Sequence, residues 1–460
     1  MNRIVRIIKN VLHYDQLTDS HLKRQKTLEV LEEKLSLLET ELSDSKRLLR
    51  DALYNIEEER SYLSSEYVRK KRPHNKTRVL ICGYYGAQNG GDELMLRAVL
   101  DNISINEVDI SILLSHNYAL DSSIYFPYRT IHYPKKPDDC RFLAEEFDVI
   151  IWGGGAVLDD SEYYYRGADN NLTYIEMTIS KMALQLNKKV LIFGVSANKK
   201  LTDKKMIKDL QYVIDSSQFF SLRDKNSLNS LRNSGIKRLS KVAIIDDLAL
   251  ANTYLTAKKL KRKPNMIRIG FIFILKDNID HLSNFVKKVV NLFPEETTIQ
   301  VNLISFFNQY RHDVVMLEQL SSQISGCQNI KISIIDEDLT VEGITKALQC
   351  SDYLFSMRYH ATLIAGFVLG QNVISINYGD THRHYYNKIK YIKDNYIQNL
   401  REINYGSLND ERSIKRIGGY LTEQRFYRID NRRIEKIRSE LGKTISDEVS
   451  KQLLESQAQI

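Results

Sequence analysis

The sequence predicts an α/β protein built as two doubly wound, parallel-sheet halves. Three observations carry this. Short apolar runs of strand length alternate with amphipathic helical segments from Thr77 onward. Glycine-rich turns close several of those runs. A basic stretch, Thr256–Asn265, separates two series of comparable length.

In the first half, Arg78–Cys82 reads as a buried strand, Gly83–Asp92 as a turn and Glu93–Leu100 as a helix. Strands at Val108–Leu114, Phe147–Trp152, Lys189–Phe193, Gln218–Leu222 and Val242–Ile245 follow, with helices at Leu172–Leu186 and Asp224–Ser234. In the second half, the predicted strands are Ile267–Leu275, Thr298–Ile304, Ile330–Ile335, Tyr353–Phe355 and Val373–Ile376. Helices at Asp280–Leu292, His312–Ser325, Val341–Gln349 and Ala361–Leu369 alternate with them. Asn377–Glu402, rich in Tyr, His and Asn, reads as a loop with irregular helix. The expected domains are residues 77–255 and 266–430, joined by the linker 256–265, with an amphipathic helix over 431–455. Two such halves present a cleft between their facing edges.

The segment before Thr77 differs. Residues 1–15 read as a short basic amphipathic helix, with Ile4, Val5, Ile7, Ile8, Val11 and Leu12 on one face. That pattern suits an anionic membrane surface or packing on a protein. In 24–70, Leu28, Leu31, Leu35, Leu38 and Leu42 recur in steps of three and four. A coiled coil that joins copies of the chain is expected, the alternative being one long packed helix.

Composition narrows the class. The chain has 460 residues, 43% hydrophobic and 27% charged, and a net charge of +8. The charge suits acidic ligands and does not call for nucleic acid. The four cysteines form no CxxC pair, which argues against a thiolate metal or redox motif and for buried free thiols in a reducing compartment. No apolar run reaches the roughly 18–20 residues of a membrane span. The expected place is the cytoplasm, with peripheral membrane contact through the first helix.

Four turns could carry chemistry. In Gly83–Asp92, Asn89, Gly90 and Gly91 allow a ligand close to the backbone, and Asp92 stands either as a functional carboxylate or as the cap of the next helix. It is neither a Walker loop nor a GxGxxG turn. Gly153, Gly154 and Gly155 close a central strand and imply close approach by a ligand or a neighbouring helix, with Asp159 and Asp160 in the same loop. Arg223 ends a strand, with Asp224 placed as a helix cap; the pair is either a surface ion pair or part of the cleft. Arg358 and His360 occupy a strand-to-helix turn, where helix N–H groups favour an anion. Arg supplies a fork for carboxylate or phosphate, and His a mobile proton. A helix end beneath His360 opposes its protonation, whereas a bound anionic donor favours it.

Taken together and in this order, Gly83–Glu93, Gly153–Gly155, Ser221–Asp224 and Met357–Ala361 resemble the polysaccharide pyruvyl transferase family. The similarity runs from about Arg78 to Asn387. It implies a fold like the GT-B glycosyltransferases, phosphoenolpyruvate as co-substrate, and a sugar or lipid-linked saccharide as acceptor. It implies donor binding by Arg223 and Arg358 and catalysis by His360. No metal and no further cofactor are required. Asp92 or Asp160 could orient or deprotonate the acceptor. Family members often place a lysine soon after the strand matching Val373–Ile376; here His382 and Arg383 come first, with Lys388 beyond. The competing readings are a GT-B glycosyltransferase using a nucleotide sugar, and an inactive scaffold for polysaccharide assembly.

Overall fold

The computed structural model describes Lys34 and residues 76–457, apart from 105–107, 116–126, 135–136, 161–171, 198, 257–265, 275–277, 308–311, 328, 338, 378–382, 423–426 and 428. The basic helix at 1–15 and the coiled coil at 24–70 therefore lie outside the described residues, save Lys34.

The first sheet holds β1 (Thr77–Cys82), β2 (Val108–Leu114), β3 (Arg129–His132), β4 (Val149–Gly155), β5 (Lys189–Val195), β6 (Phe219–Leu222) and β7 (Ala243–Ile244). Their spatial order is β3-β2-β1-β4-β5-β6-β7. The second holds β8 (Met266–Ile272), β9 (Thr298–Ile304), β10 (Ile330–Ile335), β11 (Tyr353–Ser356), β12 (Asn372–Asn377) and β13 (Arg401–Asn404), in the order β10-β9-β8-β11-β12-β13. Every pairing is parallel. The central strands β1, β4 and β5 are buried almost throughout, as expected where helices cover both faces.

Strand order reverses between β1 and β4 in one sheet and between β8 and β11 in the other. Such switch points are where open α/β sheets bind ligands, beyond the carboxyl ends of the strands. Here the two come together. Asn89, after β1, forms an antiparallel bridge with Phe307, after β9. The Gly90 N–H donates to the Phe306 carbonyl at 3.1 Å. One apolar cluster runs through both domains at this junction, including Met95, Leu248, Phe306, Ile344 and Leu363.

Several elements depart from the predicted set. The edge strands β3 and β13 were not predicted, because RTIH and REIN carry too few apolar residues to stand out. At the far edge, Val242–Ile245 shortens to the two residues of β7. Helices at Pro137–Glu146, Lys204–Ser216 and Glu411–Thr422 were also not predicted. Arg383–Asn395 is a regular helix where a loop with irregular helix was expected. It buries Ile389 and Ile392, but the tyrosines and polar residues between them obscure its apolar face in sequence. The segment after β11 is an α turn, Tyr359–Leu363, running into a π-helix, Ile364–Val368, a form that recurs at functional sites.

The C-terminal helix Asn431–Gln457 leaves the second domain and packs on the first. Ile434, Ile437, Leu441, Ile445 and Val449 are buried there, and Leu453 extends the same stripe. Lys189 on β5 pairs with Glu455 at 2.8 Å. No described helix is long and apolar enough to cross a membrane. All four cysteines are free; Cys82 and Cys140 are buried, and Cys327 and Cys350 are half-buried.

Candidate active site

Where the switch points meet, the structure encloses a cavity of about 200 Å³. The first domain contributes Tyr84, Asn89, Asp92 and Arg223; the second contributes Arg358, Tyr359, His360 and Lys388.

The helix beginning this site starts at Gly90, not at Glu93. Its cap is Asn89, whose side-chain oxygen accepts from the Gly91 N–H at 3.3 Å. Asp92 is therefore not the cap. It sits in the first helical turn, buried, and its carboxyl is pushed up to about 6. Burial is the main cause; His360, Lys388 and Arg223 pull the other way, and Asp247 adds to the rise. The sign of the linkage follows: ionising Asp92 works against the fold increasingly as pH rises from its ordinary 3.8 through about 6.

Gly91 has a local reason to be glycine. A Cβ there would lie 1.9 Å from His360 Nδ1, so the imidazole rests directly on the backbone of this helix. On its other side, His360 Nε2 lies 3.3 Å from Asp247 Oδ2, an ion-pair distance without good hydrogen-bond alignment. The ring thus lies between a helix end and a buried carboxylate. We expect Gly91→Ala to displace His360 and cut kcat about 10²-fold or more, the range for losing a general acid. Overpacking at this buried position costs about 1–3 kcal/mol, more than the roughly 1 kcal/mol by which Ala is favoured in a helix interior, so the melting temperature should fall. Wild-type turnover in that variant would show that the imidazole's seat does not matter.

Arg223 is only 3% exposed, which rules out the surface-pair reading. Nη1 donates to Asp247 Oδ2 at 3.0 Å, and Nη2 to Ser196 Oγ at 2.8 Å. Its guanidinium carbon lies 4.7 Å from the centre of the Tyr359 ring. Asp224 caps the next helix, accepting from the Ser227 N–H at 2.6 Å. Burial alone would raise the Asp247 carboxyl; His360, Arg223 and the Ala249 N–H instead hold it well below the usual carboxylate range.

Arg358 stands at the cap position of the Tyr359–Leu363 turn. Nη2 lies 3.4 Å from Asp313 Oδ2, and its guanidinium carbon is 5.1 Å from the Phe307 ring centre. Nε of Arg223 and Nε of Arg358 are buried and have no hydrogen-bond partner among the described residues. Two buried, under-satisfied guanidinium N–H groups suit an anion. Lys388 adds a third basic group, lowered to about 8 by burial first and by Arg223 second. Tyr84 is raised to about 12, mainly by burial and then by Asp92, so it faces the cavity as a neutral phenol.

The remaining predicted residues fall elsewhere. Asp160 is not part of the cavity lining. Its Oδ2 accepts from Thr202 N, from Thr202 Oγ1 at 2.9 Å and from Asp203 N at 3.0 Å, and Lys199 lies 3.3 Å from Oδ1. Burial opposes its ionisation, but these N–H groups bring the carboxyl down to about 2. The bonding commits Asp160 to the Lys199–Asp203 loop. Gly154 and Gly155, at φ +90° and +97°, make room for neighbouring side chains: Leu248 and Met95 at Gly154, Asp92 and Val157 at Gly155. That is the packing alternative rather than the ligand one. His382 lies outside the described residues, and Arg383 opens the Arg383–Asn395 helix.

Asp247, Tyr84, Tyr359, Phe306 and Lys388 are among the cavity or support residues that the sequence does not single out as site residues. Asp247 had a signal, since Asp246-Asp247 directly follows a predicted strand, where carboxyl ends gather ligands.

The model of the family described as polysaccharide pyruvyl transferase matches residues 89–381, well over half of the chain. The chain belongs to that family. The match includes every cavity residue from Asn89 to His360 and stops short of Lys388. This polysaccharide pyruvyl transferase is thus an enzyme of polysaccharide modification. No curated protein matches the transferase in sequence. Among solved structures, it is similar to a glycosyltransferase from Rickettsia africae, with 12% identity, 81% of this chain and 99% of that chain covered, and a TM-score of 0.44. It is also similar to a UDP-GlcNAc 2-epimerase from Methanocaldococcus jannaschii, with 13% identity, 76% and 99% coverage, and a TM-score of 0.43.

Proposed function

We propose that the enzyme transfers the pyruvyl group of phosphoenolpyruvate to two hydroxyls of a saccharide, forming a pyruvate ketal and phosphate. The observation that carries this reading is the convergence of Arg223, Arg358 and Lys388 on one small cavity that also holds His360 and Asp92. Phosphoenolpyruvate bears a carboxylate and a phosphate, and guanidinium forks fit both.

His360 delivers a proton to the donor's methylene carbon, which becomes a methyl group. Positive character builds on the adjacent carbon. A sugar hydroxyl forms a C–O bond to that carbon, and its proton passes to the Asp92 carboxylate. The bond from carbon to the phosphate oxygen then breaks, with the electron pair leaving on phosphate. The second hydroxyl adds to the same carbon and closes the ketal, releasing a proton.

The test is acceptor-dependent phosphate release from phosphoenolpyruvate, measured with a panel of nitrophenyl and lipid-linked sugars. Release with a product heavier by one ketal-linked pyruvate is expected. No release with any acceptor, together with no heat of phosphoenolpyruvate binding, would overturn the proposal. The same assay reads Asp92. As pH falls through about 6 its carboxylate is protonated and the base is lost, so turnover should decline on the acid side. Asp92→Asn should be slow and should lack that limb; an unchanged limb would remove Asp92 from the base role.

A further inference from the structure

A second cavity, of about 360 Å³, lies beside the first and borrows the same three elements. Each element carries residues toward both sites. After β6, Arg223 faces the inner site and Asn226 the outer one. After β7, Asp247 holds Arg223 and His360, while its neighbour Asp246 lines the outer groove. On the Arg383–Asn395 helix, Lys388 lines the inner cavity and Tyr391 the outer. The wall between the cavities is thin: Tyr391 OH donates to the Arg223 carbonyl at 3.0 Å.

The chemistry of the outer groove differs from that of the inner one. Lys225 brings an ammonium, Asp246 and Asp394 bring carboxylates, Asn226 and Asn395 bring amides, and Ile244, 41% exposed, offers an apolar face. Asp246 accepts from Tyr396 OH at 2.7 Å, and Asp394 from Lys390 at 2.9 Å, which holds both in place with acceptor capacity remaining. Lys225 in the groove and Lys390 on Asp394 balance the two carboxylates, so no excess of positive charge calls for a second phosphate. Acceptors, amide donors and an apolar patch together suit a polyhydroxylated, uncharged ligand.

We propose that this groove binds the saccharide chain beyond the sugar that reacts, so that the enzyme selects an oligosaccharide over a single residue. The inference rests on the sugar-acceptor reading above. Its test is a binding measurement that needs no turnover. The full chain is titrated calorimetrically with nitrophenyl mono- and tetrasaccharides of β-1,4-linked glucose, N-acetylglucosamine and galactose. At least one tetrasaccharide should bind about tenfold tighter than its monosaccharide. In the double variant Asn226→Ala, Asp394→Ala, both exposed positions, that preference should shrink to about twofold or less while phosphoenolpyruvate binding and the melting temperature stay unchanged. No length preference with any sugar, or a preference that survives in the variant, would overturn the proposal. Length-dependent binding without phosphate release would remove the donor reading and leave the groove; release with length-independent binding would do the reverse.

Discussion

Asp247→Ala is expected to lower the stability of the folded chain by about 3–5 kcal/mol and to abolish turnover. The carboxylate is fully buried and serves two basic groups at once, the Arg223 guanidinium at 3.0 Å and the His360 ring at 3.3 Å. Removing it strands a guanidinium that is itself 3% exposed. Chemical denaturation reads the stability term. Asp247→Asn, which keeps the shape and one acceptor, separates charge from packing: it should fold better than the alanine variant yet stay slow. The pH dependence has a definite sign. A carboxyl held below its ordinary range stabilises the fold at neutral pH, and that contribution drains away only in acid, as pH falls through its lowered value. A midpoint of unfolding and a turnover rate both equal to wild type would show that Asp247 organises nothing.

His360→Ala should reduce kcat by about 10²–10⁴-fold while phosphoenolpyruvate still binds within a few-fold of wild type, since a general acid acts on the transition state. Arg358→Ala should divide the effects the other way, with donor binding lost first. Arg358 stands 16% exposed on its side chain and touches Asp313, so it is open to a ligand and anchored behind. Calorimetry with the donor, run beside steady-state kinetics on both variants, reads this division. If His360→Ala bound no donor, or if Arg358→Ala bound it normally, the roles would have to be exchanged.

Much of this site was legible in the sequence because its parts are turns. Glycines after β1, an arginine ending β6 and an Arg-x-His after β11 are local signals, and parallel-sheet logic places all of them at one edge. What was hidden depends on contacts across the fold. Asp160 looked as available as Asp92, and only the N–H groups of Thr202 and Asp203 distinguish them. Asp247 looked like a strand-end acid, and its double pairing spans both domains. Lys388 sat in a segment whose tyrosines masked a regular helix, so its distance along the chain from the preceding strand concealed its position in the cavity. Short edge strands were lost for a similar reason: half-exposed backbone needs little apolar sequence.

The return of the C-terminal helix to the first domain has a mechanical consequence. The chain crosses between domains twice, once between Thr256 and Met266 and again near Asn431. One apolar cluster, continuous through both domains, seats them on each other between those two crossings. His360 rides on one domain and Asp247 on the other, with 3.3 Å between them. The pair thus depends on how one domain is seated on the other, and a cavity-forming substitution in the shared cluster should reach His360 without touching it.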